Sequence, residues 1–202
     1  MMFGLTDKEL KILRGLNTPV KIQNFLDTLP INYEEKGETL MSPRRVLQTR
    51  RAHCFEGALL AAAALLLHGR LPLLMDFKTV SSDESHVVAL FKEGKCWGAI
   101  SKTNHGILRY RDAIYQTPRE LARSYFNEYF DFTTGAKTLR AYSQPFNLNK
   151  FGRDWLTSER DLWFLDKTLA KSPHVKILTP DQIKKLRPAD KIEIKAGQLM
   201  EW

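Results

Sequence analysis

Up to Gly69 the apolar positions recur three or four residues apart in short segments, and each segment opens on a capping signal. Thr6-Asp-Lys-Glu9 is a capping box, and Thr18-Pro19, Ser42-Pro43, Thr117-Pro118 and Thr179-Pro180 each set a hydroxyl before a proline suited to the first helical position. Glu120 and Gln182 complete two further boxes. The pattern predicts helices over 7–15, 19–28, 43–48 and 54–68, the last closed by Gly69. Segment 54–68 is apolar all round, which only a core position explains.

After it the period changes. LPLLMDFKTV (71–80) and HVVALF (86–91) are apolar runs, and KEGK turns the second into CWGAIS (96–101), so the last two predict a β-hairpin. A helix is expected over 118–130, where Tyr125, Phe126, Tyr129 and Phe130 fall at helical spacing and read as core packing. Residues 143–157 look irregular, 158–169 predict an amphipathic helix, and the tail from Thr179 predicts a turn or two of helix and then a strand. Helices, a buried helix and then an antiparallel sheet make an α+β fold rather than a βαβ-wound one. The expected division is a domain over 1–170, N-terminal helices included, and a basic appendage over 171–202, either separate or packed on the same domain.

Composition adds limits. The chain has 202 residues, 43% of them hydrophobic and 27% charged, enough for one domain with a sizeable core. The longest unbroken apolar run, Ala58–Leu67, is too short for a bilayer, so no membrane partner is expected. MMFGLTDKELKIL lacks a small-residue cleavage site and does not read as a signal peptide, so Cys54 and Cys96 are expected as reduced thiols in a cytoplasmic protein.

The net charge of +8 is concentrated in two places: Lys36, Arg44, Arg45, Arg50 and Arg51 within 36–52, and a run of Lys and Arg within 171–195. This suits an acidic partner. Nucleic acid is not the expected one, because zinc spacing, RNA-binding signatures and heptad basic regions are lacking. Cys96 and the histidines at 53, 68, 105 and 174 show no ligand spacing, so neither metal nor cofactor is expected.

Chemistry enters at TRRAHCFEGALLAAAALLLHG, where Cys54 heads the buried helix. A helix N-terminus favours the thiolate, and Arg50, Arg51 and His53 lie close in sequence. A packing cysteine fits that position equally well. His86, at the head of an apolar strand, could take the thiol proton and return it.

Together these stretches resemble the transglutaminase-like superfamily. TPVKIQNFLDTLPINYE is similar to its helix and extended segment. SPRRVLQTRRAHCFEGALLAAAALLLHGRLP resembles its cysteine-headed helix, and HVVALFKEGKCWGAIS resembles its histidine-headed strand, glycine turn and return strand with Trp97. The resemblance runs from Thr18 to Ser101. It implies a papain-like core with the helix packed on an antiparallel sheet, Cys54 as nucleophile and His86 as its base. It also implies a thioester formed from a peptide, protein or small-amide substrate. Ser101 stands where the family usually has an aspartate, and Ala52-His53 replaces its Gly-aromatic context. Gln48, six residues before the cysteine, has the spacing of a papain-like oxyanion glutamine.

A tight turn at KEGK predicts Phe91 opposite Cys96, and the same register puts His86 opposite Ser101, with Cβ atoms roughly 5 Å apart. Ser101 is therefore the expected orienter of the imidazole, with Asn104 as the fallback. Three functions stay open: an acyl-transfer enzyme, a binding or scaffold domain with a relic site, and a basic nucleic-acid-binding protein.

Overall fold

The computed structural model describes residues 2–35 and 37–201; Met1, Lys36 (one of the basic residues named above) and Trp202 lie outside the described residues. Hydroxyl caps start the early helices. Thr6 opens α1 (Asp7–Gly15) with its box closed by Glu9, Thr18 opens α2 (Pro19–Asp27) and Ser42 opens α3 (Pro43–Thr49). Arg50 ends α3 in a left-handed conformation, and α4 (Cys54–Leu67) follows, buried from Phe55 to Leu65. None of the helices described is long and apolar enough to cross a membrane.

The strands are β1 (Leu73–Lys78), β2 (His86–Glu93), β3 (Cys96–Ile100), β4 (Arg111–Tyr115), β5 (Ala141–Ser143), β6 (Phe146–Asn147) and β7 (His174–Lys176). All described pairings are antiparallel, in the order β4-β3-β2-β1-β5-β7, with β6 also on β1. The fold is α+β. β2 is buried on both faces, which is why it reads as an unbroken apolar run. Val87, Ala89 and Phe91 meet α4, with α1, α2 and α3 packed behind it. Val88 and Leu90 join Met75, Phe77, Leu121, Tyr125 and Tyr129 in a second core on the opposite face.

Three elements depart from expectation. The helix from Pro118 stops at Ser124 (α5) and gives way to a 3-10 turn over Phe126–Glu128. There Ser124 Oγ donates back to the Leu121 carbonyl (2.7 Å) and Arg111 donates to the Ser124 carbonyl (3.4 Å). The helix expected from Ser158 begins only at Trp163 (α6, Trp163–Ala170), because Asp161 is held by the Leu40 N–H (2.9 Å) and Arg45 (2.6 Å). In the tail, α7 (Pro180–Ile183) is a single turn, and the expected strand is α8 (Lys191–Gly197), opened by an Asp190–Glu193 capping box that outweighs the alternation of KIEIK. The segment from residue 171 supplies β7 to the sheet and sets α8 against Phe130 and Phe132.

Gly57 brings the two halves of the fold together. A Cβ there would lie 2.4 Å from Lys102 Cβ, so only glycine lets the end of β3 approach the first turn of α4 this closely. Lys102 is buried and donates to the Leu29 carbonyl at 2.6 Å. Ser101 is thereby carried to the head of the helix.

Candidate active site

Cys54 is the first residue of α4 and half-buried. Its N–H takes no protein acceptor among the described residues, as expected of a first-turn amide. The preceding residue caps the helix in an unusual way. His53 Nδ1 accepts the Phe55 N–H (3.2 Å), and its Nε2 bonds the Thr39 carbonyl (3.0 Å). The capping box is closed by Glu56, a fully buried carboxylate that accepts from the His53 N–H (3.0 Å), the Met41 N–H (2.9 Å) and Thr39 Oγ1 (2.8 Å). Histidine is not a standard cap, so nothing local in the sequence marks His53 as one or singles out Glu56 as its partner.

His86 heads β2 and is buried. Its Nε2 lies 2.7 Å from Ser101 Oγ, and that hydroxyl donates to the Leu108 carbonyl at 2.5 Å. A hydroxyl has one proton to give. With it committed to Leu108, Ser101 Oγ accepts from His86, so Nε2 carries a hydrogen and Nδ1 is the nitrogen free for the thiol. Gln23 holds Ser101 in turn: its Oε1 accepts the Ser101 N–H (2.9 Å) and its Nε2 donates to the Ser101 carbonyl (2.8 Å). Nothing local in the sequence marks Gln23, which is 78 residues from Ser101 in the chain.

The hairpin register differs from expectation by two residues. Glu93 pairs with Cys96 and Phe91 with Gly98 around a two-residue Gly94-Lys95 turn, in which Gly94 takes a left-handed φ of 58°. Ser101 therefore falls diagonal to His86 rather than opposite. A shift of two keeps both side chains on one face, and a histidine spans the diagonal.

Two opposing influences act on the Cys54 thiol. Burial pushes it up, but hydrogen bonding to His53, then to His86, and the charge of both imidazoles bring it down to about 5. Burial likewise disfavours charge on His53, and Cys54 and Glu56 outweigh it, raising His53 to about 9. Once protonated, Nδ1 turns from acceptor of the Phe55 N–H to donor toward the thiolate, so cap and charge are alternative states of one ring. Of the arginines named in the sequence, Arg50 lies over the Phe25 ring at 4.9 Å, and the leading influences on the thiol are burial and the two histidines.

Two other expected residues stand apart from the thiol. Gln48 is exposed on α3 and lines a separate groove of about 550 Å³ with Lys8, Arg44 and Arg50, so its six-residue spacing does not bring it to Cys54. Asn104 Nδ2 donates to the Tyr33 hydroxyl (3.1 Å) and leaves His86 to Ser101. Because α3 ends at the left-handed Arg50, the chain turns before Cys54 and the helical phase of Gln48 is lost.

Clefts open on both sides of Cys54. One, of about 340 Å³, is lined by His53, Asp76, Asp166 and Trp163; Asp76 is bonded to His174 of β7 at 3.0 Å. The other, of about 670 Å³, is lined by His86, Lys102, Asn104, Tyr129 and Met200. The site thus offers a lowered thiol, an imidazole of set tautomer, a free helix-terminal N–H and room for a substrate on either side. No family model matches the chain, and no curated protein matches it.

Proposed function

We propose that the chain is a cysteine-dependent acyl-transfer enzyme of transglutaminase-like type with a papain-like core, acting on an amide or peptide acyl group. The observation that carries the reading is geometric: Cys54 heads a buried helix and lines one cleft with His86, whose Nε2 is held 2.7 Å from Ser101 Oγ, and the nearby imidazoles lower the thiol. A thiolate is the nucleophilic form.

In this reading His86 Nδ1 takes the Cys54 thiol proton, the sulfur attacks the carbonyl carbon, and the π pair moves onto oxygen. The Cys54 N–H and the helix dipole stabilise that oxyanion. As the carbonyl re-forms, the C–N bond breaks and the imidazolium of His86 gives its Nδ1 proton to the departing amine. Water or a second amine, deprotonated by the same nitrogen, then attacks the thioester and restores the thiolate. Ser101 orients the ring without a charge to stabilise the imidazolium, which weakens the acid–base pair relative to a carboxylate.

The test is acylation by p-nitrophenyl acetate. A burst of about one p-nitrophenolate per chain, absent in Cys54→Ala and kept in Cys96→Ala, is expected. A protein whose Cys54 is alkylated by iodoacetamide but never acylated is instead a relic site, and that result overturns the proposal.

A further inference from the structure

The loop that leaves Ser101 runs along the wall of the larger cleft, and its backbone carries a passenger. The Gly106 N–H donates to the Leu199 carbonyl (2.8 Å) and the Glu201 N–H donates to the Asn104 carbonyl (2.7 Å), making an antiparallel bridge between His105 and Met200. Segment 199–201 is thus a one-step added strand on residues 104–106. Side chains add Asn104 Nδ2, which donates to Met200 Sδ at 3.8 Å, and the His105 ring, whose Nδ1 lies 3.0 Å from the Gly197 carbonyl just before the segment; the rest is open. Leu199 is 67% exposed and Met200 60%, and the Arg109–Glu201 ion pair is 3.5 Å long and open to solvent. Gly106 allows the approach: a Cβ there would sit 3.3 Å from the Ala196 carbonyl.

Met200 lines the same cleft as Cys54 and His86, as do Thr103, Asn104 and His105. The edge therefore lies on one continuous stretch with the serine that orients the imidazole.

We propose that the backbone of residues 104–106 is the substrate edge of this site: it takes an extended peptide by strand addition, and the chain's own 199–201 segment holds it in competition. The proposal rests on the acyl-transfer reading for its meaning, and it narrows the substrate from any amide to an extended peptide. Strand addition draws affinity from main-chain hydrogen bonds and is tolerant of sequence, which matches a resident strand with two exposed side chains. A tethered occupant outcompetes a free peptide through its high effective concentration, so the edge is masked until the tether loosens.

The test uses the full chain. Glu201→Pro removes the N–H that bonds Asn104 and touches nothing buried. In an anisotropy titration, a fluorescein-labelled peptide of sequence GQLMEW is expected to bind Glu201→Pro at least tenfold more tightly than the wild type. Glu201→Ala, which keeps the N–H and loses only the Arg109 contact, should bind it as the wild type does. Equal affinity of Glu201→Pro and wild type, or no binding to either, overturns the proposal. So does an opening by Glu201→Ala as large as that by Glu201→Pro, because side chains would then be holding the segment. The edge needs no thiol, so Cys54→Ala combined with Glu201→Pro should bind the peptide unchanged. A failed acyl-transfer reading would leave this titration intact, which separates the two outcomes.

Discussion

His86 Nε2 lies 2.7 Å from Ser101 Oγ although the two residues are not cross-strand partners. The ladder ends at Ala89–Ile100, so the next facing pair is Val88 and Ser101, and the histidine reaches Ser101 on the diagonal. The contact is anchored from behind by Leu108 and from below by Gln23, so the imidazole is held by a stretch that is itself held.

Removing that acceptor strands a buried ring N–H. Ser101→Ala should cost about 1–3 kcal/mol of stability, the usual penalty for an unpaired buried donor. It should also slow Cys54 alkylation near neutral pH several-fold, because the ring is free to turn from the thiol. Thermal unfolding and iodoacetamide kinetics check both; an unchanged alkylation rate would show that Ser101 does not orient His86.

The lowered thiol has a pH signature. With Cys54 at about 5, the thiolate dominates from pH 6 upward, so its alkylation rate should be flat from pH 6 to 8 and drop as pH falls through 5. At pH 6 Cys54 should therefore outrun Cys96, although both thiols are half-buried. Mass-spectrometric site mapping of a brief iodoacetamide pulse reads the ratio, and equal labelling at pH 6 contradicts the lowered thiol.

His53 has two roles that belong to different protonation states, the cap to the neutral ring and the charge to the protonated one, and substitutions separate them. His53→Ala loses both cap and charge, and should cost roughly 0.5–2 kcal/mol of stability as cap removals do. His53→Asn keeps a capping oxygen for the Phe55 N–H and loses the charge. It should hold its melting temperature near that of the wild type while the midpoint of Cys54 alkylation moves up in pH. If the midpoint stays, His53 is a cap alone.

Gly57 sets packing against propensity. Alanine is the better helix former by about 1 kcal/mol, yet its Cβ would meet Lys102 Cβ at 2.4 Å. Overpacking of this kind costs ~1–3 kcal/mol or more, so Gly57→Ala should be net destabilising. Because Lys102 follows Ser101, the variant should slow Cys54 alkylation as well. Denaturant unfolding giving a more stable protein would refute the close approach.

Much of this fold is written in local signals. A hydroxyl three residues before a free N–H needs no distant partner to start a helix, so α1, α2 and α3 begin where their caps predict. The all-apolar body of α4 and the two-sided burial of β2 follow from composition, because such segments have nowhere but the core to go. Local signals also mislead where a distant group intervenes. Arg111 ends α5 early, Asp161 delays α6, and Arg50 turns Gln48 away from the thiol.

The site itself was legible only in its endpoints. Cys54 at a helix head and His86 at a strand head are visible in the chain, but their electrostatics depend on His53 and the buried Glu56, whose partners Thr39 and Met41 come from another segment. The His86–Ser101 contact survives a register two residues away from the expected one because the side-chain period of a strand is two. That Gln23 grips Ser101, and that segment 199–201 pairs along the cleft, depends on close approaches across the fold such as the one Gly57 allows. Spacing along a chain records the angles within one element, whereas the distance between two elements is set by how their side chains pack.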